Sequence, residues 1–276
     1  MAATVSFTIA SADGPRPVSI AYERSGSGEP LLLLHGIGHH RQAWDPVLRI
    51  LAAERDVIAV DLPGFGASPA LPDGVPYATD SVAPVLGAFC AELGVGRPHV
   101  AGNSLEGLLA LEMGRVGLAR SVTALSPAGF WTEAERRYAF AVLRAMRGGA
   151  LALPVTMIER LSLSAAGRTA LTSTIYSRPG RRSPDAVLAE TMALRGATGF
   201  HQTLAVGRGS VFAHDVPGLP VTVAWGSRDR LLPRRQGVRA KHTIPGARLV
   251  RLPGCGHVPM HDDPALVARV VLDTSR

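Results

Sequence analysis

Short apolar segments rich in β-branched residues alternate along this chain with longer segments of helical spacing. The alternation predicts an α/β fold with a mostly parallel, eight-stranded sheet and helices on both faces. Continuous apolar runs, such as residues 31–34 and 57–60, indicate strands that are buried on both faces. The predicted strands cover residues 4–9, 18–24, 31–34, 57–60, 99–102, 122–125, 221–225 and 248–252.

The turn sequence Asp13-Gly14-Pro15 separates the first two predicted strands, which therefore form an antiparallel hairpin at the start of the sheet. Helical spacing recurs between the later strands, as an α/β fold requires. The predicted helices of this region cover residues 44–53, 81–93, 105–115 and 264–272.

Between residues 131 and 207 the strand pattern disappears, and only helical segments remain. Gly148-Gly149 and Arg178-Pro179-Gly180 are the predicted breaks between them. An all-helical insertion predicts a cap over the carboxyl ends of the strands, where such sheets bind ligands. We expect a core of residues 1–130 and 208–276 and a cap at 131–207. The predicted cap helices cover residues 133–147, 154–163, 165–176 and 184–195.

The composition supports one large core, because 46% of the 276 residues are hydrophobic. Cys90 and Cys255 are far apart in the chain, which argues against a disulfide framework and favours a reducing compartment. A single disulfide bridge between these two residues remains the alternative. The first residues lack the pattern of a signal peptide, and no apolar run reaches the ~20 residues that span a bilayer. The expectation is a cytoplasmic protein with no membrane partner.

The formal net charge of +7 comes almost entirely from arginine, with Lys241 the only lysine. The arginines are scattered and cluster at most in pairs, and no nucleic-acid-binding motif accompanies them. We therefore expect solvated surfaces rather than a nucleic-acid partner. The expected partner is a small-molecule substrate, and the expected assembly is a monomer or homodimer.

The strongest candidate for chemistry is Ser104, within Gly102-Asn103-Ser104-Leu105-Glu106-Gly107. A serine on a tight turn from strand to helix is lifted above the sheet edge and can act as a nucleophile. The G-x-S-x-G pattern fails here, because Glu106 stands where a glycine is usual and Gly107 comes one residue late. An ordinary serine N-cap is the competing interpretation.

Two further candidates lie just past predicted strand ends, Asp229 after residues 221–225 and His257 after residues 248–252. Nucleophile, acid and base follow in the order Ser, Asp, His, and all three lie at the edge where carboxyl ends of strands meet. Each residue alone has an ordinary explanation. Together they predict the catalytic triad Ser104, Asp229 and His257.

With these residues the chain resembles the α/β-hydrolase superfamily along essentially its whole length. The resemblance also covers His35-Gly36-Ile37-Gly38, residues 61–68, and Gly256-His257-Val258-Pro259-Met260. It implies that the amides of Ile37 and Leu105 form an oxyanion hole, and that His35 and the 61–68 turn are structural. Haloalkane dehalogenases and epoxide hydrolases are similar but place an aspartate at the elbow, so Ser104 argues against both.

The resemblance implies a serine hydrolase that cleaves a small, mostly apolar ester or lactone without a cofactor. The opening Gly102-Asn103-Ser104 is similar to that of carbon–carbon bond hydrolases of aromatic degradation, which are the alternative. The loop after His257 is more similar to esterases and cofactor-free haloperoxidases. A weakly catalytic ligand receptor is a third hypothesis, kept open by Glu106, which we expect to depress catalysis.

Metal and nicotinamide sites are not expected, because His39-His40 lacks ligand spacing and Gly64-Phe65-Gly66 lacks a third glycine and a helix. Aromatic and flexible side chains in or beside the predicted cap are candidates for substrate contact, although core packing explains each of them equally well. These tentative binding residues are Phe130, Trp131, Met146, Tyr176, Phe200 and His201.

Overall fold

A computed structural model describes residues 3–11 and 14–276 and contains one eight-stranded sheet in the order β1-β2-β4-β3-β5-β6-β7-β8. β2 pairs antiparallel with β1 and β4, and the remaining neighbours are parallel. The predicted fold class is thereby confirmed; Asp13 of the predicted turn lies outside the described residues. The strands are β1 (Ala3–Ile9), β2 (Arg16–Gly26), β3 (Pro30–Leu34), β4 (Asp56–Val60), β5 (His99–Asn103), β6 (Ser121–Leu125), β7 (Val221–Gly226) and β8 (Arg248–Leu252).

Helices cover the sheet, and every residue of β4, β5, β6 and β7 is buried, as continuous apolar strands require. α1 packs against α10, and α2 packs against α3. The helices are α1 (Asp45–Ala52), α2 (Thr79–Glu92), α3 (Leu105–Arg115), α4 (Glu133–Ala152), α5 (Val155–Leu163), α6 (Ala165–Thr172), α7 (Pro184–Gly196), α8 (Phe200–Gly207), α9 (Arg235–Thr243) and α10 (Pro264–Thr274).

Helices α4 to α8 lie between β6 and β7, in the segment predicted as a cap, and α7 packs on α4, α5 and α6. α4 begins with a capping box, in which the Thr132 hydroxyl accepts from the Glu135 amide and the Glu135 carboxylate accepts from the Thr132 amide. The same carboxylate forms ion pairs with Arg235 and Arg239 of α9. These contacts fix the start of the insertion against the sheet region, while the division into core and cap stays a prediction.

Three features differ from the sequence prediction. α4 runs through Gly148-Gly149 to Ala152, because packing of its buried face outweighs the poor helix propensity of glycine. α9 has too few apolar residues to show helical spacing; it forms where Gly237 packs closely on the Trp225 ring. α8 was not predicted and lies after the last predicted cap helix. Cys90 and Cys255 are both buried free thiols.

Within the described residues, no single helix is long and apolar enough to cross a bilayer; α4 and α5 pass that test only as a pair bent by 109°.

Candidate active site

Ser104 occupies a strained turn between β5 and α3, with φ of 64° and ψ of −125°. Its amide donates to the carbonyl of Leu125 on β6 at 2.9 Å, and its carbonyl accepts from the Ala128 amide at 2.9 Å. A positive φ costs energy for any residue with a Cβ, so the neighbouring strand and helix must hold it in place. The turn therefore presents the serine side chain at the carboxyl end of β5.

Glycines let the strand and helix of this turn approach each other. A Cβ on Gly102 would lie 2.1 Å from the Glu106 carbonyl oxygen, so no other residue fits there. A Cβ on Gly107 would lie 3.1 Å from Cα of Pro127, which is also a tight contact. Gly107 therefore lets the first turn of α3 pack closely against Pro127 and the end of β5.

The Glu106 side chain is only 3% exposed and borders a small space that Leu62, Tyr77 and Thr203 also line. Its Oε2 has no hydrogen-bond partner among the described residues. Burial raises the pKa of the Glu106 carboxyl well above its usual value, although the amides of Glu106 and Ile37 act in the opposite direction. Burial thus favours the neutral acid, and the expected effect of Glu106 on catalysis stays a prediction.

Asp229 and His257 form a closely hydrogen-bonded pair. The Asp229 Oδ2 lies 2.8 Å from Nδ1 of His257, and the carboxylate is fully buried. Its Oδ1 accepts from the amides of Leu231 and Leu232 at 2.9 and 2.8 Å, which fixes the carboxylate in place. Because a carboxylate accepts, His257 donates from Nδ1 and leaves Nε2 as the unprotonated nitrogen.

His257 Nε2 is buried and has no hydrogen-bond partner within the described residues, although His257 and Ser104 line the same cavity. Hydrogen bonds between nucleophile and base are often loose before a substrate binds. A serine on a strained turn, beside an imidazole oriented by a buried carboxylate, is an arrangement that can activate a hydroxyl group.

Three anchors of the histidine loop were missed in the sequence. Asn103 donates from Nδ2 to the carbonyls of Leu125 and His257 at 3.0 and 2.9 Å. The Ile175 carbonyl, in the predicted cap, accepts from the His257 amide at 2.9 Å. Asp262 accepts from the Gly256 amide at 2.7 Å. The position of Asn103 directly before Ser104 was the signal that could have revealed the first of them.

The loop that carries Ile37 is fixed by His35. The Leu62 amide donates to Nε2 of His35 at 3.1 Å, so Nδ1 carries the proton and donates to the Gly36 carbonyl at 2.9 Å. Burial lowers the pKa of His35 to about 4, which keeps this ring neutral. The loop places Ile37 beside Ser104, where both residues line the cavity.

Leu105 is the first residue of α3, and its amide is one of those that lack a partner within the helix. Leu105, Ile37 and Ser104 all border a recess of about 20 Å³. The structure therefore brings together the two residues whose amides were predicted to hold an oxyanion.

The cavity above Ser104 has a volume of about 340 Å³, within the range of small-molecule sites. Its floor is the serine, the histidine and the loop of residues 36–39. Most of its wall comes from the helical insertion and is apolar. The large apolar residues of the wall include Leu143, Met146, Leu153, Leu171, Ile175, Leu194 and Leu231.

Of the six tentative binding residues, Met146 lines this cavity and Trp131 borders the small recess beside Ser104. Trp131 also donates from its indole nitrogen to the Ser210 carbonyl at 3.2 Å. Met146 is therefore the better placed of the two for substrate contact.

The other four tentative residues do not line this cavity, and their contact with substrate stays a prediction without support from its geometry. Phe130 packs on Phe212, with ring centroids 5.8 Å apart. The Tyr176 hydroxyl donates to Glu190 at 3.0 Å in a buried cluster. Phe200 is fully buried, whereas His201 is exposed on the adjacent position of α8. Aromatic composition alone could not separate core positions from cavity positions.

Comparison with known proteins gives one family. A family model described as the alpha/beta hydrolase fold matches residues 29–264. An uncharacterized protein of Mycobacterium tuberculosis is 28% identical over 263 residues, which are 91% of this chain and 76% of that protein. An epoxide hydrolase of the same organism is 30% identical over 195 residues, 65% of this chain and 86% of that protein.

Among solved structures, a thermophilic esterase from Thermogutta terrifontis superposes with a TM-score of 0.76 at 20% identity. The superposition covers 98% of this chain and 97% of the esterase. At this identity the likeness concerns the fold alone.

Proposed function

Because this chain belongs to the alpha/beta hydrolase family, we propose that it is a serine hydrolase that cleaves a small, mostly apolar carboxylic ester or lactone through an acyl-enzyme. One observation carries the proposal. His257, which is paired with Asp229, and Ser104, on its strained turn, border the same apolar cavity. The cavity volume of about 340 Å³ favours small substrates.

In the proposed mechanism, His257 Nε2 takes the proton of the Ser104 hydroxyl while Oγ attacks the carbonyl carbon of the ester. The amides of Ile37 and Leu105 stabilise the negative oxygen of the tetrahedral intermediate. Asp229 holds the imidazole and stabilises its protonated form. His257 then gives the proton to the leaving alkoxide, which departs as an alcohol.

Deacylation repeats these steps with water as the nucleophile. His257 accepts a proton from the water molecule, whose oxygen attacks the acyl carbon, and the proton then passes to Ser104 Oγ as the acid leaves. No cofactor is needed for either half of the reaction.

A carbon–carbon bond hydrolase acting on a vinylogous diketone is the second candidate, supported by the similar opening Gly102-Asn103-Ser104. Epoxide opening is less favoured, despite the epoxide hydrolase relative. The elbow of this chain carries a serine where that class places an aspartate.

The test is labelling by a fluorophosphonate probe followed by turnover of a panel of nitrophenyl esters and one vinylogous diketone. Labelling that Ser104→Ala abolishes, together with ester turnover, supports the proposed function. Preferred cleavage of the diketone favours the second candidate. Saturable ester binding with negligible turnover identifies a receptor instead.

A further inference from the structure

His39 lines the cavity above Ser104 but has no role in the proposed reaction. It follows the loop that carries Ile37, and its amide donates to the Gly36 carbonyl at 3.0 Å, which fixes its backbone. The residue is only 9% exposed, and Nδ1 of its ring is buried without a hydrogen-bond partner among the described residues. The backbone at His39 is therefore fixed, while Nδ1 of its buried ring has no hydrogen-bond partner among the described residues.

The hydroxyls of two threonines in the cavity wall have local partners. The Thr191 hydroxyl donates to the Val187 carbonyl at 2.7 Å, and the Thr172 hydroxyl donates to the Arg168 carbonyl at 2.8 Å. Glu190 is paired with Arg182. His39 differs from these residues, and a buried polar group without a partner calls for an explanation, such as a bound ligand.

The chemistry of the ring indicates what it can bind. Burial lowers the pKa of His39 well below its usual value, and the neighbouring His40 and His35 add to the effect. A neutral imidazole offers one N–H donor and one acceptor nitrogen, and it offers no charge to hold an anion. A hydroxyl or carbonyl oxygen fits such a group, whereas a carboxylate gains little from it.

We infer that His39 hydrogen-bonds a second oxygen of the substrate, outside the scissile ester group, so that the substrates are esters or lactones carrying a hydroxyl group. This inference rests on the proposed function. The apolar wall from α4, α6 and α7 then contacts the hydrocarbon part of the substrate, while His39 hydrogen-bonds the added oxygen. His39 is a specificity-determining residue in this account, and Ser104 and His257 retain the chemistry.

The test compares kcat/KM for ethyl butyrate with kcat/KM for its α- and β-hydroxy derivatives. We expect the wild type to prefer at least one hydroxy ester. In His39→Phe that preference should fall about tenfold, the effect of losing one neutral hydrogen bond of ordinary strength. His39→Gln, which keeps a donor and an acceptor, should recover part of the preference, and His39→Leu serves as a second apolar variant if His39→Phe does not fold.

The matched control is His242→Phe, the same substitution at an exposed histidine on α9, which should leave the preference unchanged. An unchanged preference in folded His39→Phe or His39→Leu overturns the inference, as does a wild type that favours neither hydroxy ester. Wild-type protein that neither cleaves ethyl butyrate nor reacts with a fluorophosphonate overturns the proposed function instead, so the two failures are distinguishable.

Discussion

Glu106 makes the stability of this protein depend on pH, and Glu106→Gln should remove that dependence. The carboxyl is buried beside α3, and burial raises its pKa well above the ordinary value of 4.5. In the unfolded chain the same group loses its proton near 4.5. Between these two pKa values the folded state holds one more proton than the unfolded state.

The sign and size of the effect follow from that one proton. Stability from Glu106 is fully present below its unfolded pKa and is lost as pH rises toward the folded pKa. The free energy of unfolding falls by up to about 1.4 kcal/mol for each pH unit in this window. Measurements from about pH 5 upward sample this window, because the unfolded carboxyl is largely ionised there. Glutamine cannot ionise, so the free energy of unfolding of Glu106→Gln lacks the pH dependence that comes from this residue.

The assay is urea unfolding of wild type and Glu106→Gln across that pH range, followed by circular dichroism. Subtracting the two free energies of unfolding cancels the other titrating groups and isolates Glu106. Glu92→Gln, at an exposed position near the end of α2, is the matched control and should follow the wild type. The same pH dependence in wild type and Glu106→Gln would refute the buried, proton-retaining state of Glu106.

Further variants test the proposed site. Asp229→Asn should lower turnover by about 10⁴-fold in steady-state assays, because the amide can favour the wrong tautomer of His257, whereas Asp215→Asn at an exposed position should not. Met146→Ala should shift the preferred ester chain length, measured as ratios of kcat/KM; equal losses on all esters would count against its contact with substrate. Phe200→Ala should lower the free energy of unfolding by about 3–5 kcal/mol, measured by denaturation, because it empties a fully buried position.

The sequence predicted the sheet because a buried parallel strand has a strong local signal. The runs before His35, Ser104 and Asp229 are apolar, and in such a fold their carboxyl ends converge at one edge. The neighbourhood of the proposed triad therefore followed from strand ends and from chain order. The antiparallel pairing of β2 with β4 has no comparable signal, since it depends on which strands become neighbours.

The features that the sequence did not predict depend on contacts between distant parts of the chain. Glu106 is buried because Leu62, Tyr77 and Thr203 enclose it, and no local pattern predicts that enclosure. Phe200 and Met146 have similar sequence signals, yet only Met146 lies on the cavity wall. His39 was set aside for lacking ligand spacing, whereas its significance lies in an unpartnered ring that only three-dimensional structure reveals.

The central claim is a covalent acyl-enzyme on Ser104, and rapid-quench mass spectrometry of the protein during turnover of a nitrophenyl ester tests it most directly. We predict a burst of nitrophenol and a mass increase equal to one acyl group, located on the peptide that contains Ser104. Ser104→Ala should remain folded, show no adduct and turn over roughly 10⁶-fold more slowly. An acyl group on another residue, or Ser104→Ala with most of its activity retained, would contradict the account.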